Sequence, residues 1–207
     1  MKKAIEMLEY EREYAAKGYA AICGSDEVGR GPLAGPVVVA AVIMPLDEDK
    51  LIDGIDDSKK LSPKRRETLC DQILATAREY AIVEVSPQEI DDINILNATK
   101  KAMREAINSL ECADLALTDA LDPGCALPCV PIIKGDAKSY NIAAASIVAK
   151  VYRDSLMEKY ALEYPGYGFE RNKGYGSREH IEAIAKMGLT PIHRRSFVTR
   201  MKVGGDE

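Results

Sequence analysis

The chain contains no tryptophan, and only two phenylalanines and two histidines; aromatic residues make up 6% of its 207 residues. An aliphatic core is therefore expected. The five cysteines, Cys23, Cys70, Cys112, Cys125 and Cys129, form an odd, irregularly spaced set, which argues against a disulfide framework. Cys125-x-x-x-Cys129 with Cys112 could seed a zinc site, but His180 and His193 are the only histidines and no fourth ligand lies nearby in sequence. Reduced cytosolic thiols are the simpler expectation. No apolar run reaches the roughly 20 residues of a membrane-crossing helix. The opening residues Met1-Lys2-Lys3-Ala4-Ile5-Glu6 lack the apolar stretch of a signal peptide. A monomeric, cytoplasmic protein with no membrane partner is the expectation. An excess of positive charge is also missing: the net charge is −5, which by itself speaks against a nucleic-acid partner.

The distribution of charge says otherwise. From Arg171 to Lys202 eight cations, among them Arg194 and Arg195, face only two acids, Glu179 and Glu182. A second basic cluster comprises Lys59, Lys60, Lys64, Arg65 and Arg66. Local basic faces on an acidic chain are compatible with contacts to a nucleic-acid backbone. Either cluster alone fits a solvated helix face equally well.

At 46% hydrophobic, the chain has enough apolar residues for one substantial core, so a single α/β domain spanning 1–207 is expected, with a basic C-terminal helical segment over about 165–207. Apolar runs predict strands near residues 19–23, 36–44, 81–85, 114–121 and 131–135. Charged, helix-prone sequence predicts a first helix over 3–17. Ser62-Pro63 opens a helix running to about residue 80, and Ser86-Pro87-Gln88-Glu89 matches a capping box. Further helices are expected over 97–110 and 142–163. Ser177 caps another ending at Gly188, and a short helix ends near Phe197. The run Ala143-Ala144-Ala145-Ser146 reads as a small-residue packing face.

The most informative stretch is Gly24-Ser25-Asp26-Glu27-Val28-Gly29-Arg30-Gly31-Pro32-Leu33-Ala34-Gly35. Two adjacent carboxylates end an apolar run, directly before a glycine-rich turn. Packing does not ask for such a pair, since like charges in apolar surroundings repel. A divalent cation does, because hard cations take carboxylate oxygens. Neighbouring side chains of a strand point to opposite faces, so Asp26 and Glu27 share a site only where the strand ends or twists. Glycines let backbone approach a ligand closely. Asp119 interrupts another apolar strand, and Asp136 follows Lys134-Gly135 where a strand hands over to a helix. Strand ends of open α/β sheets converge on the ligand crevice. Carboxylates gathered there suit two-cation phosphodiester chemistry.

The segment Asp26–Gly35 resembles the signature of the ribonuclease HII family, the type 2 ribonucleases H. Asp57-Ser58-Lys59-Lys60-Leu61-Ser62, Ile133–Ser139, Ile142–Asp154, Asn172–Ser177 and His193–Phe197 are also similar to family blocks, in family order. Ser25 and Thr118 depart from the usual apolar residues without touching a proposed ligand. The resemblance implies a ribonuclease H-like fold: a five-stranded mixed sheet flanked by helices, with a C-terminal helical segment. It implies Asp26, Glu27, Asp119 and Asp136 as catalytic and metal-binding acids, with Asp154 the structural rival to Asp119. Substrate contacts would come from Gly29, Arg30 and Gly31, from Tyr175, and from Lys59 as a phosphate contact. Mn²⁺ or Mg²⁺ is the implied cofactor. The implied substrates are RNA–DNA hybrids and duplex DNA with embedded single ribonucleotides, cut to leave 5′-phosphate and 3′-hydroxyl ends. The related type 3 enzymes carry an extra N-terminal substrate-binding domain, for which this length leaves no room. Recruitment by other proteins leaves no signal in the sequence.

Overall fold

A computed structural model describes residues 2–199. Five strands form one mixed sheet in the order β3-β2-β1-β4-β5. They are β1 (Ile22–Val28), β2 (Val37–Ile43), β3 (Glu79–Val85), β4 (Leu115–Asp119) and β5 (Cys129–Ile132). Strand β2 runs antiparallel to both β1 and β3, whereas β4 lies parallel to β1 and β5 parallel to β4.

The strand β2 is buried throughout, which explains its unbroken apolar sequence Val-Val-Val-Ala-Ala-Val-Ile. Its side chains alternate between two cores. Val38, Ala40 and Val42 pack with helix α6 (Tyr140–Glu163) and with α3 (Pro63–Thr76). Val37, Val39, Ala41 and Ile43 pack with α5 (Ile95–Asn108) on the other side. The run Ala143–Ala145 is fully buried on α6, as its small-residue face predicts. Close packing is enforced at Gly24 of β1, where an added Cβ would come 2.1 Å from the Asn141 backbone.

Helix caps follow local chemistry. Ser62, Ser86, Ser139 and Ser177 accept backbone N–H groups at the starts of α3, α4 (Pro87–Ile93), α6 and α8 (Arg178–Met187). The remaining helices are α1 (Lys2–Glu6), α2 (Glu9–Ala16), α7 (Phe169–Asn172) and α9 (Arg195–Val198). Among the described residues no helix is long and apolar enough to cross a membrane.

Several boundaries differ from the sequence expectations. The first helix divides into α1 and α2. Helix α3 stops at Thr76, and Glu79 and Tyr80 belong to β3, because they pair with Ile43 and Val42. Strand β5 ends at Ile132, since Lys134 turns the chain with φ of 58°. Strand β1 extends through Val28, so Asp26 and Glu27 lie inside the ladder rather than beyond its end.

Candidate active site

Asp26 pairs across the ladder with Ala40, whose side chain faces α6. On that face Ser146 lies beside the Asp26 carboxylate and favours its charged form. Asp119 ends the adjacent strand β4 and accepts the Gly135 backbone N–H at 2.7 Å. The left-handed Lys134 and the short turn Gly135–Ala137 carry Asp136 to the same end of the sheet. Oxygens of Asp26, Asp119 and Asp136 lie within 4.8 Å of one another. Among the described residues this is the one such group of potential metal ligands. Asp154 stands apart, paired with Lys150 at 2.7 Å.

Glu27 does not join that group of three, because its side chain leaves β1 on the opposite face from Asp26. Its Oε1 accepts from Arg30 at 3.3 Å, while its Oε2 is buried without a hydrogen-bond partner. Burial pushes the Glu27 carboxyl upward, with Arg30 opposing and Asp119 adding to the push. Burial also raises Asp26 well above the usual range, reinforced by Glu27 and Asp119. Asp136 is raised by burial and then by Asp119 and Asp57, against Lys59. Crowded acids and an orphaned carboxylate oxygen are a costly arrangement for the protein alone. They fit a divalent cation, which supplies the missing positive charge.

Lys59 offsets part of the cluster's charge. It sits on a short turn (Ser58–Lys60) whose cap, Asp57, accepts the Lys59 backbone N–H at 2.9 Å. Partial burial pulls its ammonium down, but Asp136, Asp26, Asp57 and Asp119 together hold it above its ordinary value. The Ser58 hydroxyl lies 3.0 Å from that of Ser146. The two hydroxyls thereby link the Lys59 turn to the face of α6 that carries Ser146 beside Asp26. Reading Ala143–Ser146 as packing surface alone misses this link; the one polar residue in the run was its only signal.

The glycine turn is held from beneath by two buried arginines. Arg194 donates to the carbonyls of Gly29, Arg30 and Gly35 at 2.6–3.0 Å. The expectation that Arg194 contacts substrate is therefore corrected: it is fully buried, and its donors are used on backbone. Arg153 donates to Pro36, Ala34 and Lys173 carbonyls and was not foreseen in this role. Gly29, with φ of 92°, lies so close that a Cβ would sit 2.2 Å from Arg153 Nε. Arg30 and Gly31 are exposed above this support. Tyr175 is 47% exposed, and its Cε1 would lie 3.5 Å from a Cβ at Gly31.

The basic C-terminal stretch offers less free charge than its composition suggests. Arg171 pairs with Glu170 and Glu179, Lys173 with Glu158 and Arg178 with Glu182. Arg195 is exposed. Arg200 and Lys202 lie outside the described residues.

A family model described as ribonuclease HII matches residues 23–200. The chain belongs to the ribonuclease HII family. It is 55% identical over 195 residues to the ribonuclease HII of Lachnoclostridium phytofermentans, covering 93% of this chain and 75% of that one. The ribonuclease HII of Clostridioides difficile is 52% identical over 204 residues, covering 96% and 79%. Among solved structures, the PCNA:RNase HII complex of Archaeoglobus fulgidus matches with a TM-score of 0.77 and 30% identity, over 90% of this chain and 98% of that one. The ribonuclease H2 of Pyrococcus horikoshii matches at 0.72, also at 30% identity, over 86% and 93%. The five-stranded mixed sheet with flanking helices is thus the ribonuclease H-like fold. As a ribonuclease HII family member, the protein is a metal-dependent endonuclease acting on RNA–DNA hybrids.

Proposed function

We propose that this enzyme cuts at single ribonucleotides embedded in duplex DNA as well as within longer hybrids, leaving 5′-phosphate and 3′-hydroxyl ends. The observation that carries this reading is the convergence of Asp26, Asp119 and Asp136 at one end of the sheet, where Lys59 answers their charge. These three acids would hold two Mg²⁺ or Mn²⁺ ions, with Glu27 reaching in from the other face of β1, where its unpartnered Oε2 is buried and its carboxyl feels Asp119. Bound there, the ions supply water activation and stabilisation of the leaving oxygen.

The remaining steps belong to the chain's own groups. Lys59 offers its ammonium to a phosphate oxygen of the substrate, and Ser146 holds the Asp26 carboxylate in place. The exposed backbone of Arg30 and Gly31 approaches the ribose closely enough to sense a 2′-hydroxyl, the group that separates RNA from DNA. Tyr175, set against Gly31, stacks on the neighbouring sugar. Arg195 contributes a backbone phosphate contact, while Arg153 and Arg194 keep the glycine turn rigid. The reading includes a monomeric enzyme acting in the cytoplasm.

Cleavage rates on a duplex with one embedded ribonucleotide, an all-RNA strand in a hybrid, and an all-DNA duplex test the proposal. Cutting of the first two but not the third is expected, with products that a ligase can rejoin. Equal cutting of all-DNA duplex would refute it. A non-catalytic nucleic-acid-binding module would cut none of them.

A further inference from the structure

His180 and His193 have no role in the chemistry above, yet both are buried and their Nε2 atoms face each other at 3.0 Å. Surrounding contacts dictate which nitrogen carries each proton. The Thr190 backbone N–H donates to His193 Nδ1 at 2.9 Å, so that nitrogen accepts. In a neutral ring the proton then sits on Nε2. His193 Nε2–H therefore donates to His180 Nε2. This leaves the His180 proton on Nδ1, which donates to the Tyr175 carbonyl oxygen at 2.9 Å. Burial lowers both imidazoles, His193 to about 4, and favours the neutral pair.

This one-directional chain closes a ring of contacts around the substrate-facing turn. His193 forms an antiparallel bridge with Ala34, and the Arg194 N–H donates to the Leu33 carbonyl at 2.8 Å. Leu33 and Ala34 in turn donate to the Gly174 carbonyl, next to Tyr175. An added Cβ at Gly174 would come 2.3 Å from the Ala34 oxygen, so the two segments meet backbone to backbone. Tyr167 and Phe169 pack against both imidazoles and keep water from the N···N contact. The charged neighbours are Glu179, itself paired with Arg171, beside His180, and Arg194 next to His193 in the chain.

We propose that His180 and His193 are positioning residues whose directed hydrogen-bond chain fixes the Tyr175 backbone, and with it the ring, against the Gly29–Gly31 turn. The proposal rests on the recognition role given to Tyr175 above.

Two measurements test it. Long-range proton–nitrogen NMR of the full chain at neutral pH should find His180 as the Nδ1–H tautomer and His193 as the Nε2–H tautomer; the opposite tautomer in either ring overturns the proposal. The second uses His180→Asn, which retains an N–H near the Nδ1 position, and His180→Gln, which gives it up. On the single-ribonucleotide duplex, His180→Gln should raise KM about ten-fold with kcat nearly unchanged, as expected for one lost hydrogen bond to a positioned group. His180→Asn should stay within about three-fold of wild type. Equal effects of the two variants indicate packing alone and overturn the proposal. Tyr175→Ala is measured alongside. Wild-type activity there removes the recognition role itself, whereas an impaired Tyr175→Ala beside a normal His180→Gln defeats only the positioning pair. Combining Tyr175→Ala with His180→Gln should be no worse than Tyr175→Ala alone. Should His180→Gln fail to fold, the tautomer measurement on the wild-type chain decides.

Discussion

Asp26→Asn separates what the acid cluster costs the fold from what it does for catalysis. Asp26, Asp119 and Asp136 place oxygens within 4.8 Å of one another. At that distance, with an effective dielectric of about 20, two ionised carboxylates repel by roughly 3 kcal/mol. The protein relieves part of this by holding protons at Asp26 and Asp136 above their usual range, through burial first and neighbouring acids second. The folded state then binds these protons more tightly than the unfolded chain. Stability of the metal-free protein therefore falls as pH rises from the ordinary carboxylate value through the raised ones. Asparagine keeps the shape, and its one amide oxygen can still accept the Glu27 N–H. In chelator near pH 8, Asp26→Asn should be about 1–3 kcal/mol more stable than wild type. For a chain of this size each kcal/mol moves Tm by about 2–4 °C. With a divalent cation at about 100 times its Kd, wild type should recover about 2.7 kcal/mol and the variant much less. Cleavage should fall by roughly 10³-fold, since several kcal/mol of cation-dependent stabilisation is withdrawn. Calorimetry with and without cation, alongside initial rates, checks both halves. A variant that melts lower in chelator, or that cleaves normally, would refute the reasoning.

Tyr175→Ala should reduce cleavage at a single ribonucleotide by about ten-fold or more, and Tyr175→Phe by less, because a lost stack is worth roughly 1–3 kcal/mol; initial rates across cation concentrations should show unchanged metal dependence. Arg194→Ala should destabilise the fold by at least about 3 kcal/mol, since the carbonyls of Gly29, Arg30 and Gly35 lose their donor; a denaturant titration with wild-type stability would contradict this. Arg195→Ala should leave stability intact and flatten the salt dependence of substrate binding by about one unit of slope. His193, held at about 4, binds fewer protons folded than unfolded, so its contribution to stability is lost as pH falls from about 6.5 towards 4, by about 1.4 kcal/mol per unit; comparing wild type with His193→Gln by denaturation at pH 7 and pH 5 in saturating cation isolates this term. Replacing Cys125 and Cys129 by Ser should keep turnover within about three-fold, a change of less than 1 kcal/mol in barrier, and metal analysis should find no zinc.

The local features of this protein were legible in its sequence because they depend on neighbours a few residues away. Ser62, Ser86 and Ser177 cap helices because each hydroxyl reaches a backbone N–H three residues on. The unbroken apolar run of β2 announced a strand, and the strand-borne acids announced a cluster of carboxylates. Boundaries were less legible where pairing across the sheet overrode local propensity, as at Glu79 and Tyr80. Tertiary structure alone decided which charges are available. Arg194 and Arg195 are adjacent and chemically identical, yet one is buried on carbonyls 159 to 165 residues away and the other faces solvent. The same holds for Ser146, which meets Ser58 across 88 residues, and for Glu27, which the ladder turns away from Asp26. Charge and hydrogen-bonding capacity belong to the residue, but burial and partner choice arise only when distant segments pack together.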